Sequence, residues 1–317
     1  MARPFLRWAG GKSKIVDDIV THMRSRPLNL RWTVRKGERY IEPFVGGGGA
    51  YLGLSRHGII EGEEQVILAD INEVLIETLS AIADESTRES VIRMLSDMKT
   101  EFKKDPPGYY YDRRSYLNSS IIPNPGKDRV ETAAHMIFIN KTCFNGLWRI
   151  NSRGEMNTPL GRSPSGKTQI LDRNGLVEFG SAVNGAKLLH QDWKETLKSA
   201  GKGDLVYVDP PYWPTQEEYV FRDYSKDGFL DGEQIEVARL CAEAAARGAR
   251  VIISNNYSES IRKEYWRAAK KAGARISKSR KDGRFQRRVR LKRTMQTVVG
   301  REREQVEEIL VFMGPKN

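Results

Sequence analysis

The apolar positions of this chain change rhythm three times along its length. In the first third, short apolar runs alternate with helical patterns. A helix is expected over residues 13–23, Tyr40-Ile41 precedes a glycine cluster, and residues 50–57 have helical character. Residues 65–69 form a short apolar strand ending at Asp70. Over Glu73–Ala83, Val74, Leu75, Leu79 and Ile82 fall at helical spacing. Strand and helix in alternation predict βαβ units, and hence a parallel sheet.

From about residue 86 to 185 the rhythm is helical, broken by Asp105-Pro106-Pro107-Gly108 and by Ile122-Pro123-Asn124-Pro125-Gly126. A polar stretch at 151–175, rich in Gly, Ser, Asn and Pro, reads as a long loop. The βα rhythm then returns, with strands at 204–208, 250–254 and 307–313 and helices at 232–247 and 258–272. The pattern predicts one α/β sheet domain built from both ends of the chain, residues 1–85 and 186–317. A mostly helical insert, residues 86–185, interrupts it.

Composition narrows the classes. Apolar residues make up 39% and aromatics 9% of the 317 residues, which excludes a chain disordered as a whole. No run approaches the roughly 18 apolar residues of a membrane-spanning helix. The opening Met-Ala-Arg-Pro-Phe-Leu-Arg-Trp predicts no secretory signal. Cys143 and Cys241 lack disulfide-framework or zinc spacing, and the four histidines show no metal-binding pattern, so an intracellular, metal-free protein is expected. The net charge is +12, and residues 276–293 hold nine basic residues against one acid, Asp282. Such a segment can be a solvated loop or a charge-protected edge strand. The interleaving of Phe285, Val289 and Leu291 favours contact with phosphates.

Four stretches carry candidate chemistry. Phe44-Val45-Gly46-Gly47-Gly48-Gly49 follows a strand, where glycines allow a tight turn close to a ligand. Asp70 ends the next strand, at the distance where nucleoside-binding α/β folds place an acid on ribose hydroxyls; the other reading is a helix N-cap. Asp209-Pro210-Pro211-Tyr212 directly follows an apolar strand. Its prolines stiffen the corner, and the Asp209 carboxylate and Pro210 carbonyl form an acceptor pair suited to the two hydrogens of an amino group. Tyr212 offers a flat face to a planar base. A rigid turn with a capping aspartate is the alternative. Trp8-Ala-Gly-Gly-Lys12 could bind a phosphate or carboxylate without being a P-loop. Within 140–162, Phe144-Asn145-Gly146-Leu147-Trp148-Arg149 sets aromatics beside Asn and Arg, the types used in base readout.

Taken in order, Trp8-Ala-Gly-Gly-Lys12, Glu42-Pro-Phe-Val-Gly-Gly-Gly48, Ala69-Asp-Ile-Asn72, Phe144-Asn-Gly-Leu147 and Asp209-Pro-Pro-Tyr212 resemble the Dam-type DNA adenine-N6 methyltransferases. In that group the cofactor motif comes first, the target-recognition domain second and the Asp-Pro-Pro-Tyr corner last. The resemblance runs from about residue 5 to 313. It implies a Rossmann-like methyltransferase sheet with 86–185 as the DNA-binding target-recognition domain. S-adenosylmethionine would be held by Trp8, Lys12, Asp70 and Asp209, by the Phe44, Gly46 and Gly48 turn, and by Asp192 and Trp193. Catalysis would fall to Asp209, Pro210, Pro211 and Tyr212, acting on an adenine flipped out of duplex DNA. Phe144, Asn145, Leu147, Arg149 and Arg162 would contact DNA. A bacterial or phage source and a cytoplasmic location follow from the same resemblance, and a cognate restriction endonuclease is a second candidate partner.

Departures from the members that read GATC fall in the recognition region: Phe144 replaces Tyr, Trp148 replaces a small residue, and Ser163 replaces an aromatic. An N4-cytosine or RNA amino methyltransferase would use the same chemistry but usually carries Ser or Asn where Asp209 stands. A catalytically silent DNA-binding protein is the alternative outside enzymes, against which the intact Asp70 and Asp209–Tyr212 speak.

Overall fold

The computed structural model describes residues 2–8, 10–12, 15–60, 65–161, 169–211, 231–277, 287–292 and 305–316. The chain divides into two compact units. The first comprises residues 1–12, 45–52 and 68–191, the second residues 13–44, 53–67 and 192–317. One helix, α2 (Gly49–Arg56), and one strand, β2 (Gln65–Asp70), begin in one unit and end in the other.

The second unit is built on a sheet. From β2 the strand order runs β1 (Arg39–Glu42), β4 (Leu205–Val208), β5 (Arg250–Asn256), β8 (Gln305–Gly314) and β6 (Arg275–Ile276), with β7 (Arg287–Lys292) also on β8. β4 pairs in parallel with β1 (Ile41 opposite Val206) and with β5 (Val208 opposite Ile253). The parallel arrangement expected from the βα rhythm therefore describes these central strands. The last strand differs: β8 runs antiparallel to β5, β6 and β7. Every residue of β4 and β5 is buried, as expected for sheet strands covered on both faces. Among the described residues, this unit's α-helices include α1 (Val16–Arg24), α8 (Trp193–Ser199), α9 (Asp231–Ala246) and α10 (Glu259–Ala272). Ser258 caps α10 through the Ile261 N–H, and Gly273 ends it at φ +74°.

At the amino-terminal edge of this sheet, Arg250 is buried and paired with Glu38 at 2.9 Å. Its guanidinium also donates to the carbonyls of Arg31 and Gly203. Arg39 forks onto Asp204. A buried arginine is tolerated here because its donors are satisfied.

The first unit is mostly helical: α3 (Glu73–Ala83), α4 (Glu85–Phe102), α5 (Pro106–Tyr116), α6 (Arg129–Thr142) and α7 (Arg173–Ala182), with β3 (Lys187–His190) beside the end of β2. Side-chain caps start each of these helices: Asn72, Asp84, Asp105, Asp128 and Asp172. The Asp-Pro-Pro-Gly break is thus a helix start, with proline in the first turn where its missing N–H costs nothing. α6 is buried almost all round, from Thr132 to Asn140, and packs on α3, α4 and α5. The described parts of the polar stretch at 151–175 hold more than loop. Ile150 bridges Met156, and α7 already begins at Arg173.

Candidate active site

The first unit carries the glycine turn and Asp70. The Val45 N–H donates to the Ala69 carbonyl (2.9 Å), and the Gly46 N–H to Oδ2 of Asp70 (3.0 Å). Oδ1 of Asp70 accepts from the Asn72 N–H (3.0 Å). Asp70 is therefore not the cap of α3. That role belongs to Asn72, whose side chain accepts from the Leu75 N–H. Asp70 stands two residues earlier and staples the glycine turn to the end of β2. Desolvation by the surrounding protein raises its pKa, against the lowering effect of the Asn72, Gly46 and Ile71 N–H groups and of His190. A carboxylate offers about four lone-pair positions, so Asp70 retains capacity for ligand hydroxyls. Ile71 beside it is 63% exposed.

Gly46 sits at φ +49°, and a Cβ there would lie 2.6 Å from Cδ1 of Trp8. Only glycine permits both the left-handed turn and the close approach of that indole. Lys12 is buried.

The second unit carries the Asp-Pro-Pro corner at the carboxyl end of β4. The Ser254 hydroxyl, at the matching end of β5, donates to Oδ1 of Asp209 (3.1 Å) and lies 2.8 Å from the Tyr207 hydroxyl. The Gln234 amide on α9 donates to the Pro211 carbonyl and accepts from Asn255 (3.0 Å). Asn255 donates in turn to the Tyr265 hydroxyl. Phe44 stacks against Trp193 with centroids 5.7 Å apart. Asp192 caps α8 by accepting from the Lys194 N–H (2.7 Å). Ser254, Asn255 and Gln234 were not singled out in the sequence. The available signal was a polar Ser-Asn-Asn run closing an otherwise apolar strand, at the edge where open α/β sheets bind ligands.

Of the residues expected to contact DNA, Phe144, Asn145, Leu147 and Arg149 lie in the turn after α6 and the hairpin that follows. Phe144–Gly146 form a 3₁₀ turn in which Asn145 is left-handed at φ +55°. Phe144 and Asn145 are exposed and Leu147 is half-buried. The exposed Arg149 donates through Nε to Oδ1 of Asn157 (2.6 Å) across the hairpin. Asn118 grips the far strand by exchanging two hydrogen bonds with the Met156 backbone. The buried Asn140 side chain bonds the Arg7 N–H, the Arg7 carbonyl and the Gly146 carbonyl. Tyr212, Arg162 and Ser163 lie outside the described residues, as do residues 278–286 and 293 of the basic segment. No cluster of metal-ligating side chains occurs among the described residues, and none of their helices is long and apolar enough to cross a membrane.

A family model for the D12 class of N6 adenine-specific DNA methyltransferases matches residues 8–278. The chain belongs to this family. It is 34% identical over 262 residues to the Type II methyltransferase M.MjaIII of Methanocaldococcus jannaschii, with 81% of this chain and 85% of that protein aligned. It is 30% identical to a DNA adenine methylase of Haemophilus influenzae, covering 87% of each chain. It is 32% identical to the DNA adenine methylase of Escherichia coli, covering 84% of this chain and 85% of that one. The chain is thus an adenine-specific DNA methyltransferase, and the sheet of its second unit is the Rossmann-like frame expected of such an enzyme.

Proposed function

We propose that this methyltransferase moves a methyl group from S-adenosylmethionine to N6 of an adenine extruded from duplex DNA, at a specific site. The observation that carries this reading is the anchoring of Asp209 at the carboxyl end of β4, with Ser254 holding its carboxylate and Gln234 occupying the neighbouring Pro211 carbonyl. A corner fixed in this way presents acceptors without reorganisation. The Asp209 carboxylate and the Pro210 carbonyl would each take one N–H of the target amino group. The nitrogen lone pair of adenine is delocalised into the ring. Engaging both hydrogens draws the nitrogen toward tetrahedral geometry and localises that pair. Tyr212 would stack on the extruded ring.

S-adenosylmethionine would supply a sulfonium methyl already activated for transfer, so orientation carries the rate. The donor set of the first unit suits a nucleoside: a carboxylate with spare acceptor capacity at Asp70, an exposed apolar Ile71 beside it, and a glycine turn at Gly46 and Gly48 carrying the Trp8 indole. Lys12 would serve the same ligand. Phe44, Asp192, Trp193 and Asp209 would also serve the cofactor. Residues 86–185 would act as the target-recognition part, with Phe144, Asn145, Leu147, Arg149 and Arg162 on DNA and the basic 276–293 segment on phosphates. A cognate restriction endonuclease would be a functional counterpart, as the name of the Methanocaldococcus relative suggests.

Labelled-methyl transfer to duplex DNA, followed by digestion to nucleosides, tests the reading. N6-methyladenine is the expected product. Asp209→Ala should abolish it while leaving the thermal transition in place, and full activity in that variant would reject the assignment.

A further inference from the structure

Strand register places a polar layer beneath the Asp209 corner. Residues paired across a sheet point to one face, and alternate residues along a strand share it. Leu205 is opposite Tyr40, Tyr207 is opposite Ile252, and Asn256 is opposite Glu308. Tyr40, Glu42, Tyr207, Asp209, Ser254, Asn256 and Glu308 therefore share a face. Within it, Tyr207 and Ser254 are fully buried. The Ser254 oxygen stands 2.8 Å from the Tyr207 hydroxyl and 3.1 Å from Oδ1 of Asp209.

The chemistry of these three groups fixes the direction of their hydrogens. An ionised carboxylate only accepts, so the Ser254 hydrogen goes to Asp209. The Ser254 oxygen is then the acceptor for the Tyr207 hydrogen. Burial raises the Tyr207 pKa well above its ordinary value, and the negative charges of Asp209, Glu42 and Glu308 push it the same way, so its proton stays in place. We propose that Tyr207 and Ser254 are positioning residues for methyl transfer, forming a two-hydroxyl relay that fixes the plane of the Asp209 carboxylate and keeps it ionised as an acceptor.

An O–H donated to a carboxylate favours its charged form, so losing that donor favours the neutral one. A protonated Asp209 would lose acceptor capacity.

The inference rests on Asp209 as the amino-group acceptor, and its test separates the two. Single-turnover kcat against pH is measured for the wild type, Ser254→Ala, Ser254→Thr, Tyr207→Phe and Asp209→Ala. Ser254→Ala should lower kcat about tenfold with KM for S-adenosylmethionine unchanged, and should move the acid limb of the profile to higher pH. Tyr207→Phe should shift it the same way by less, and Ser254→Thr, which keeps a hydroxyl, should recover the limb. A wild-type profile in both Ser254→Ala and Tyr207→Phe, with Asp209→Ala inactive, would overturn the relay and leave the acceptor reading standing. A Ser254→Thr variant as impaired as Ser254→Ala would also overturn it. Full turnover in Asp209→Ala would overturn both.

Discussion

Gly46 shows how one residue can serve a backbone need and a packing need together. Its φ of +49° and its contact with the Trp8 indole both forbid a side chain. Gly46→Ala would add about 1–2 kcal/mol of backbone strain and press a methyl group into Trp8. The expected result is a loss of S-adenosylmethionine affinity of at least about tenfold by calorimetry, in line with that strain, with cofactor-free DNA binding retained. The glycine cluster was legible in the sequence, because tight turns select glycine. Its partner was not, since nothing in the spacing of Trp8 and Gly46 says that they touch. The same holds for Asn140, a buried asparagine whose three bonds to Arg7 and Gly146 arise only when α6 delivers it there.

At the scale of elements, helix caps were readable and their division of labour was not. Ala69-Asp-Ile-Asn72 holds two candidate caps for α3, and the structure gives the task to Asn72 and leaves Asp70 to the glycine turn. The two residues should therefore separate experimentally. Asn72→Ala should cost about 1 kcal/mol of stability, read as a lower thermal midpoint, while S-adenosylmethionine binding changes less than in Asp70→Ala. Strand ends follow the same logic. Ser254-Asn255-Asn256 closes β5 with polar groups; the Ser254 and Asn255 side chains find partners beneath the Asp209 corner, and the Asn256 N–H donates to Oδ1 of Asn255. An apolar replacement of Gln234 would free the Pro211 carbonyl and leave Asn255 short of an acceptor.

At the scale of the whole molecule, the second unit carries charge at both edges of its sheet, in the Glu38–Arg250 pair at one and in the Asp209 corner at the other. At the amino-terminal edge, burial pushes the Glu38 carboxyl up, but the Arg31 guanidinium, the Arg35 N–H and the Arg250 charge together hold it below its ordinary value of 4.5. A carboxylate with a depressed folded pKa stabilises the fold fully above its unfolded pKa, and that contribution disappears as pH falls through the folded value. Glu38→Gln should therefore lower the melting temperature clearly at pH 7, and the gap from wild type should narrow and close as pH falls below the ordinary value of 4.5. Thermal melts across that range check it, and a gap independent of pH would show that Glu38 acts through packing alone. By itself the sequence determined the longer elements, the α/β class and the motifs, because hydrophobic period, caps and proline or glycine punctuation act over a few residues; the short β3, β6 and α8 and the basic β7 were not read from it. Tertiary structure alone decided that β8 runs antiparallel, that Asn72 and not Asp70 caps α3, and that Ser254 and Tyr207 stand beneath Asp209. These depend on register and burial between segments, 47 and 45 residues apart in the last case, and residue-to-residue spacing carries no signal over such separations.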